Sequence, residues 1–145
     1  MDSARQKIVA IDALPELVKA AKTAGKKVVY CHGVFDLLHV GHVRHLEAAR
    51  REGSFLVVTI TADKFVNKGP GRPVFPEHLR AEMLAALVHV DLVAINPAMT
   101  AEQVLRQMQP DIYVKGLEYK DASADVTGKI TAEREAIEAH GGQII

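Results

Sequence analysis

Apolar residues along the chain follow two alternating patterns, short continuous runs and stripes with helical spacing. The run FLVVTIT at 55–61 is apolar almost throughout, which is typical of a strand that is covered on both faces. Strands are predicted over 26–31, 55–61, 91–95 and 111–116, and a fifth begins at 143–145. Helices are predicted over 11–27, 41–53, 76–90, 100–109 and 129–140. Thr100 and Gln103 are predicted to form a capping box at the start of the fourth helix.

Strands that alternate with helices predict a single α/β domain over residues 1–145. The expected architecture is a Rossmann-like three-layer α/β/α sandwich, with a mostly parallel sheet of about five strands and helices on both faces. In such sheets ligands bind at the carboxyl ends of the strands, near the point where the strand order reverses. The segment that follows the first strand is therefore the first candidate for a binding site.

That segment reads CHGVFDLLHVGH (31–42), and in it His39 and His42 lie on either side of Gly41 at a predicted strand-to-helix turn. Backbone N–H groups and the helix dipole favour an anion at a helix N-terminus. Gly41 lacks a Cβ, so a ligand phosphate can approach the main chain closely. Imidazole donates hydrogen bonds to negative charge without carrying a permanent buried charge. The pattern predicts a phosphate-binding site.

Composition narrows the class of protein. The chain has 18 basic and 18 acidic residues and a formal net charge of zero, so neither a nucleic-acid nor a membrane partner is expected. Cys31 is the single cysteine and the N-terminus lacks the apolar region of a signal peptide, so a cytoplasmic protein is predicted. His42 and His45 do not have the spacing of a zinc-binding helix pair, and no metal bound by protein side chains is predicted.

The segment GVFDLLHVGHVRHLEAAR resembles the HxGH signature of the cytidylyltransferase-like nucleotidyltransferases, in its long GxFDxxHxGH form. The resemblance extends through KGPGRPVFPEHLRAEMLAALVHVD (68–91) and PDIYVKGLEY (110–119). These stretches are similar to the adenylyltransferase domain of bacterial ADP-heptose synthase and, more distantly, to glycerol-3-phosphate cytidylyltransferase.

The resemblance implies an enzyme that moves AMP or CMP from ATP or CTP onto a phosphorylated sugar or polyol, such as a heptose 1-phosphate, and releases pyrophosphate. Mg²⁺ is expected with the nucleoside triphosphate. The acceptor phosphate attacks the α-phosphorus in line, so the protein needs to supply positioning and charge stabilisation. The resemblance is compatible with a homodimer of this chain.

The family pattern also implies roles for particular residues. His39 and His42 would contact the nucleotide phosphates and stabilise the transition state, and Lys68 and Arg80 would reach phosphate in the same site. The nucleotide-binding residues implied are Gly33, Val34, Phe35, Asp36 and Gly41 after the first strand, and Gly116 and Glu118 after the fourth.

For several of these residues a structural role is an alternative. Lys68 lies in a polar loop, where a lysine is ordinarily a solvent-exposed surface residue. Arg80 can extend its side chain along the apolar stripe of its helix. Asp36 can close a turn. Arg72 either binds the acceptor phosphate or is only exposed, and His32 is either structural or close enough to the motif to contact the acceptor.

The sequence departs from the family pattern in two places. Leu117 and Glu118 follow the glycine of VKG, where ADP-heptose synthases have a small residue and Asp. The family also has a Ser/Thr-rich motif after the last strand, and this chain ends at Ile145 before one is reached, as expected of a fragment of a longer protein. The alternative function is therefore a nucleotide-binding module without turnover, either regulatory or inactivated by truncation.

Overall fold

A computed structural model of the chain describes residues 3–66, 69–115 and 129–145. Two short 3-10 turns, at Arg5–Lys7 and Ile11–Ala13, precede the first helix, and a third lies at Asp63–Phe65. The helices are α1 (Leu14–Thr23), α2 (Val40–Arg51), α3 (Glu77–Ala85), α4 (Glu102–Met108) and α5 (Lys129–Glu138). The strands are β1 (Val28–Gly33), β2 (Phe55–Thr61), β3 (Leu92–Asn96), β4 (Ile112–Tyr113) and β5 (Gln143–Ile144).

The five strands form one parallel sheet in the order β3-β2-β1-β4-β5. The chain adds β2 and β3 on one side of β1 and then crosses to add β4 and β5 on the other. The strand order therefore reverses between β1 and β4, and the crevice beyond their carboxyl ends is the expected ligand position for such a sheet. The α/β class and the parallel sheet are as the sequence predicts.

Side chains alternate along the strands and bury apolar residues on both faces of the sheet. One core contains Val29, Cys31, Leu56 and Val58 with Leu46 of α2 and Leu84 of α3. The other contains Val28, Tyr30 and Val57 with Val18 of α1, Leu105 of α4 and Ile137 of α5. Helices thus cover the sheet on both sides, and α2 begins at its carboxyl edge, directly after the loop that follows β1.

The start of α4 differs from the sequence prediction. The prediction of a capping box at Thr100 and Gln103 is wrong. The helix begins at Glu102, and its N-cap residue, Ala101, makes no side-chain capping bond. The Thr100 hydroxyl instead accepts a hydrogen bond of 3.3 Å from Glu102 N. The Ala101 amide donates to the Glu133 carboxylate at 2.8 Å, so a distant side chain of α5 satisfies this helix end.

Glu133 also forms a buried ion pair between α5 and the end of β4. Its Oε1 lies 2.6 Å from Lys115 Nζ, and the two side chains are 4% and 9% exposed. The Tyr113 hydroxyl donates to the same carboxylate oxygen at 2.9 Å. Charges in an interior are tolerated when they are paired and their remaining hydrogen-bonding capacity is used, as it is here.

Replacing Glu133 by Ala is expected to lower the free energy of unfolding by about 3 kcal/mol, because it removes the carboxylate that is paired with the buried Lys115 ammonium. Urea unfolding followed by circular dichroism measures this. Glu138→Ala, on the same helix but 56% exposed and 4.0 Å from Arg134, is the matched control and should change stability by less than about 0.5 kcal/mol. Equal effects of the two substitutions would show that the buried pair contributes nothing specific.

Candidate active site

His39 and His42 form a reciprocal cap at the start of α2. His39 is the N-cap residue, and its Nδ1 accepts a hydrogen bond from Gly41 N at 3.0 Å. His42 Nδ1 in turn accepts from His39 N at 3.2 Å. The two rings lie with their centroids 4.0 Å apart. This is the geometry of a capping box, with imidazole nitrogens in place of the usual Ser/Thr and Glu/Gln oxygens.

These hydrogen bonds determine where each neutral ring carries its proton. A backbone N–H can only donate, so the Nδ1 that receives it must be unprotonated, and the proton of the neutral imidazole lies on Nε2. Both histidines are therefore Nε2–H donors at the N-terminus of a helix whose dipole favours anions. The cap uses Nδ1 of each ring, and the proton lies on the opposite nitrogen of the same ring.

The glycine between the histidines has a steric reason in the structure. A Cβ built on Gly41 would lie 2.7 Å from His39 Cε1 and 3.0 Å from His39 Nδ1. The His39 ring folds back over the Gly41 amide, and a side chain at this position would displace it. This steric reason is separate from the sequence-based expectation that a phosphate approaches the main chain at Gly41, which stays a prediction.

Phe35 supports the second histidine from a strained backbone conformation. Its φ is 51°, in the left-handed region that bulky residues rarely adopt, at a cost of about 1–3 kcal/mol. Its ring packs edge-on against His42, with centroids 5.5 Å apart, and a Cβ on Gly33 would lie only 2.9 Å from Phe35 Cε2. Strain of this kind persists where surrounding contacts enforce it, and it is concentrated at functional sites.

Arg80 of α3 is fully buried and connects the loops around the carboxyl edge of the sheet. Its Nη1 donates to Val34 O at 2.9 Å and to Thr61 O at 2.8 Å, and its Nε donates to Phe75 O at 2.9 Å. Its Nη2 pairs with Asp63 Oδ1 at 2.6 Å. The geometry gives Arg80 a positioning role in the shape of the loop after β1, and its contact with phosphate stays a prediction.

Asp36 fastens the same loop to the segment that precedes α3. Its buried carboxylate accepts hydrogen bonds from Val74 N at 2.8 Å, Phe75 N at 3.1 Å and Arg72 Nη1 at 2.9 Å. Burial by itself raises the pKa of Asp36, but these donors outweigh it, so the pKa lies below its ordinary value. The Arg72 guanidinium is paired with this carboxylate. From the sequence, Arg72 was a candidate for binding the phosphate of the acceptor substrate.

The structure brings together most of the residues predicted from the sequence. Val34, Phe35 and Asp36 form the loop between β1 and the histidines, and Arg72 and Arg80 hold that loop from the α3 side. Lys68, Gly116 and Glu118 lie outside the described residues. His32, at the end of β1, is partly exposed and faces β2. The roles assigned to these residues stay predictions.

Some residues that shape this edge were missed by sequence reasoning. Thr59, Thr61 and Glu133 are polar and buried. The signal for the threonines was present, because FLVVTIT contains two hydroxyls in a strand that is otherwise apolar. Glu133 lies three and four residues before Ala136 and Ile137, which places a carboxylate on the buried face of α5.

Gly41→Ala is expected to reduce activity strongly and stability only slightly. The added Cβ displaces the His39 ring and breaks its cap, which costs about 1 kcal/mol, but alanine recovers about as much in helix propensity. Thermal unfolding and turnover measured on the same preparation separate the two effects. If the effect acts through His39, Gly41→Ala added to a His39→Ala background should change little further, whereas additive losses would contradict this explanation.

Asp36→Asn is expected to remove one acid-dependent component of stability. Because the pKa of Asp36 is lower in the folded chain, its contribution is fully present above the unfolded value near pH 4 and is lost as the pH falls through the folded value. Urea unfolding between about pH 7 and pH 2.5 should show a steeper acid loss for the wild type than for this variant. Exposed Asp12, changed to Asn, is the control and should leave the slope unchanged.

Comparison with known proteins identifies the family to which the chain belongs. The sequence profile of the family described as cytidylyltransferase-like matches residues 30–140, which is most of the chain and includes the whole site.

Within the described ranges, no helix has the length and apolar character needed to cross a membrane.

Individual relatives agree with the profile. The chain is 42% identical over 140 residues to the bifunctional protein HldE of Geotalea uraniireducens and 39% identical over 140 residues to that of Gluconobacter oxydans. It matches 95% of its own length but about a quarter of theirs, 27% and 28%.

A solved structure of a lipopolysaccharide core biosynthesis protein from Thermoplasma volcanium is similar in fold. The TM-score is 0.66 at 25% identity, covering 83% of this chain and 95% of that one. The HxGH resemblance in the sequence is confirmed by the profile and the relatives, and the Rossmann-like fold by this neighbour. The chain belongs to the cytidylyltransferase-like family of nucleotidyltransferases.

Proposed function

We propose that this chain transfers AMP or CMP from ATP or CTP to a phosphorylated sugar or polyol, such as a heptose 1-phosphate, and releases pyrophosphate. The observation that supports this proposal most strongly is the pair of Nε2–H donors at the N-terminus of α2. Both rings have Nδ1 fixed by backbone amides, so their orientation is set before any substrate binds. Donors held in place in this way stabilise charge that develops in a transition state.

The proposed reaction needs no covalent intermediate on the protein. An oxygen of the acceptor phosphate forms a bond to the α-phosphorus while the bond from that phosphorus to the bridging oxygen of pyrophosphate breaks. Negative charge grows on the leaving pyrophosphate and on the α-phosphoryl oxygens. His39 and His42 would donate to these oxygens, and the dipole of α2 adds to the same effect.

Magnesium enters the proposal as part of the substrate, bound to the phosphates of the nucleoside triphosphate. Within residues 3–66, 69–115 and 129–145, no group of three or more His, Cys, Asp or Glu side chains is arranged to hold a metal ion. The chain's own part is to bind and orient the complex of metal and nucleotide. Lys68, in the predicted phosphate-contacting loop, would add a cation to that surface.

A sugar phosphate acceptor is supported by the relatives. The solved structure that shares the fold is that of a lipopolysaccharide core biosynthesis protein. The HldE relatives are described as bifunctional, and the chain matches about a quarter of their length. We therefore assign to this chain one of two activities in proteins of that kind, the nucleotidyl transfer.

His39→Asn tests the proposal directly. Asparagine is a good N-cap residue, so the start of α2 should persist, but the Nε2–H donor is lost. We expect unfolding midpoints close to wild type and turnover lowered about 100-fold, the loss typical of removing one oriented transition-state donor. His42→Ala should lower turnover by a similar factor. His89→Ala, which removes an imidazole near Glu47, is the control with unchanged turnover.

The assay measures pyrophosphate release from magnesium ATP or CTP with a panel of phosphorylated sugars and polyols, and mass spectrometry identifies the nucleotide-linked product. Turnover by any member of the panel supports the transfer and also identifies base and acceptor. Nucleotide binding without pyrophosphate release across the panel would contradict the proposal and favour a binding module. Unchanged turnover in both histidine variants would contradict the assigned site.

A further inference from the structure

His32 lies at the carboxyl end of β1, on the face of the sheet opposite to the one that packs against α2. Its Cα partner in the parallel register is Thr59 of β2. Its Nδ1 is 2.7 Å from Thr59 Oγ1, and its Nε2 is 3.4 Å from Thr61 Oγ1. It is partly exposed, whereas both threonines are buried. The imidazole therefore lies at the carboxyl edge of the sheet, beside the position where the strand order reverses between β1 and β4. Its hydrogen bonds to β2 hold it on one side.

The direction of these hydrogen bonds is inferred from a buried tyrosine. The Tyr30 side chain is fully buried and stacks on Tyr113, and its hydroxyl is hydrogen-bonded to Thr59 Oγ1. A buried phenol needs an acceptor for its proton, and in the described part of the chain Thr59 supplies one. Burial also raises the pKa of Tyr30 far above its ordinary value, so the phenol keeps that proton.

The remaining hydrogen bonds follow from the fact that a threonine hydroxyl has one proton to donate. If Thr59 accepts from Tyr30, its single proton is available for His32 Nδ1 at 2.7 Å. Nδ1 is then the acceptor, and the neutral ring carries its proton on Nε2. The bond from Nε2 to Thr61 is long at 3.4 Å, so it is weak and can be exchanged for a bond to a ligand oxygen.

The ring is also held neutral. Burial lowers the pKa of His32 to about 4, and the nearby Lys115 ammonium acts in the same direction. The Glu133 carboxylate and a hydrogen bond with the Thr59 backbone act against it without reversing the shift. These are the charged groups that face His32 from the end of β4 and from α5. Imidazolium therefore forms only in acid, well below neutral pH.

We propose that His32 is a specificity-determining residue of the transfer reaction, whose Nε2–H and the Thr61 hydroxyl together bind a hydroxyl group of a sugar. This inference rests on the proposed function. A neutral donor beside a hydroxyl matches a ligand that both donates and accepts, whereas phosphate is bound more strongly by cations. His39 and His42, at the start of α2, would hold the phosphates, and His32 would read the sugar on the other side of the crevice.

The sugar hydroxyl belongs either to the phosphorylated acceptor or to the ribose of the nucleotide. His32→Leu removes the donor and keeps an apolar side chain, and His32→Gln keeps a neutral N–H donor at a similar reach. We expect the Leu variant to raise one substrate's KM about tenfold or more, with a smaller change in kcat, and the Gln variant to restore most of the loss. Unchanged KM values for both substrates in the Leu variant would overturn the proposal.

The substrate whose KM rises identifies the source of the hydroxyl. Deoxy analogues of the acceptor, or 2′- and 3′-deoxynucleotides, should then bind the Leu variant and the wild type alike, because the discriminating hydrogen bond is absent in both. If the wild-type chain binds substrates without turnover, the proposed transfer fails. The role of His32 is then judged by calorimetry with the same variants and analogues, and equal affinities would overturn it.

The hydrogen-bond chain has its own test, which does not depend on catalysis. Nitrogen-15 NMR of labelled histidine distinguishes Nε2–H from Nδ1–H imidazole, and His32 should be in the Nε2–H form at neutral pH. Thr59→Val removes the donor to Nδ1 and should give a mixture of the two forms, while Thr59→Ser should restore the single form. An Nδ1–H ring or an imidazolium in the wild type at neutral pH would overturn the inference.

Discussion

A single buried guanidinium connects the segments that surround the carboxyl edge of the sheet. Arg80 donates to carbonyl oxygens of the loop after β1, the end of β2 and the segment before α3, and it pairs with Asp63. A fully buried charge is tolerated only if its donors are used, so these three segments can move little relative to one another. The position of Val34, and with it the path of the chain toward the histidines, depends on this arrangement.

The histidine pair illustrates how one ring can serve the structure and, in the proposed reaction, the chemistry as well. His39 and His42 use Nδ1 to complete the first turn of α2, where serine or glutamate oxygens are more common. That choice leaves Nε2–H as the donor on each ring, held at the positive end of a helix dipole. The strained conformation of Phe35, whose ring packs against His42, adds a cost that the fold bears at this edge.

The two faces of the sheet carry different chemistry at its carboxyl edge. On the α2 side, the histidines and the helix N-terminus suit an anion. On the opposite side, Tyr30, Thr59 and His32 form a neutral chain of hydrogen bonds, with the ion pair of Lys115 and Glu133 behind it. Such a division suits the proposed substrates, which carry both phosphate and sugar hydroxyls, because charged and neutral groups are recognised by different donors.

Much of this protein was determined by sequence alone, because the relevant patterns are local. Apolar periodicity over a few residues predicted the order of strands and helices, and β2 was found with the predicted bounds, Phe55–Thr61. Residues 39 and 42 meet because three positions span about one helical turn, so HxGH predicts a paired site without knowledge of the fold. The errors were also local, as at Thr100, where the residue type suited a cap that the chain did not form.

Only the tertiary structure decided which distant groups complete the site. Arg80 bonds to a carbonyl 46 residues away and Asp36 to an amide 38 residues away. Glu133 replaces the expected cap of α4 from 32 positions along the chain. The tautomer of His32 depends on a tyrosine and a threonine that lie on two strands. No sequence periodicity contains such information, because these partners are chosen by the strand order and by the need of each buried polar group for a partner.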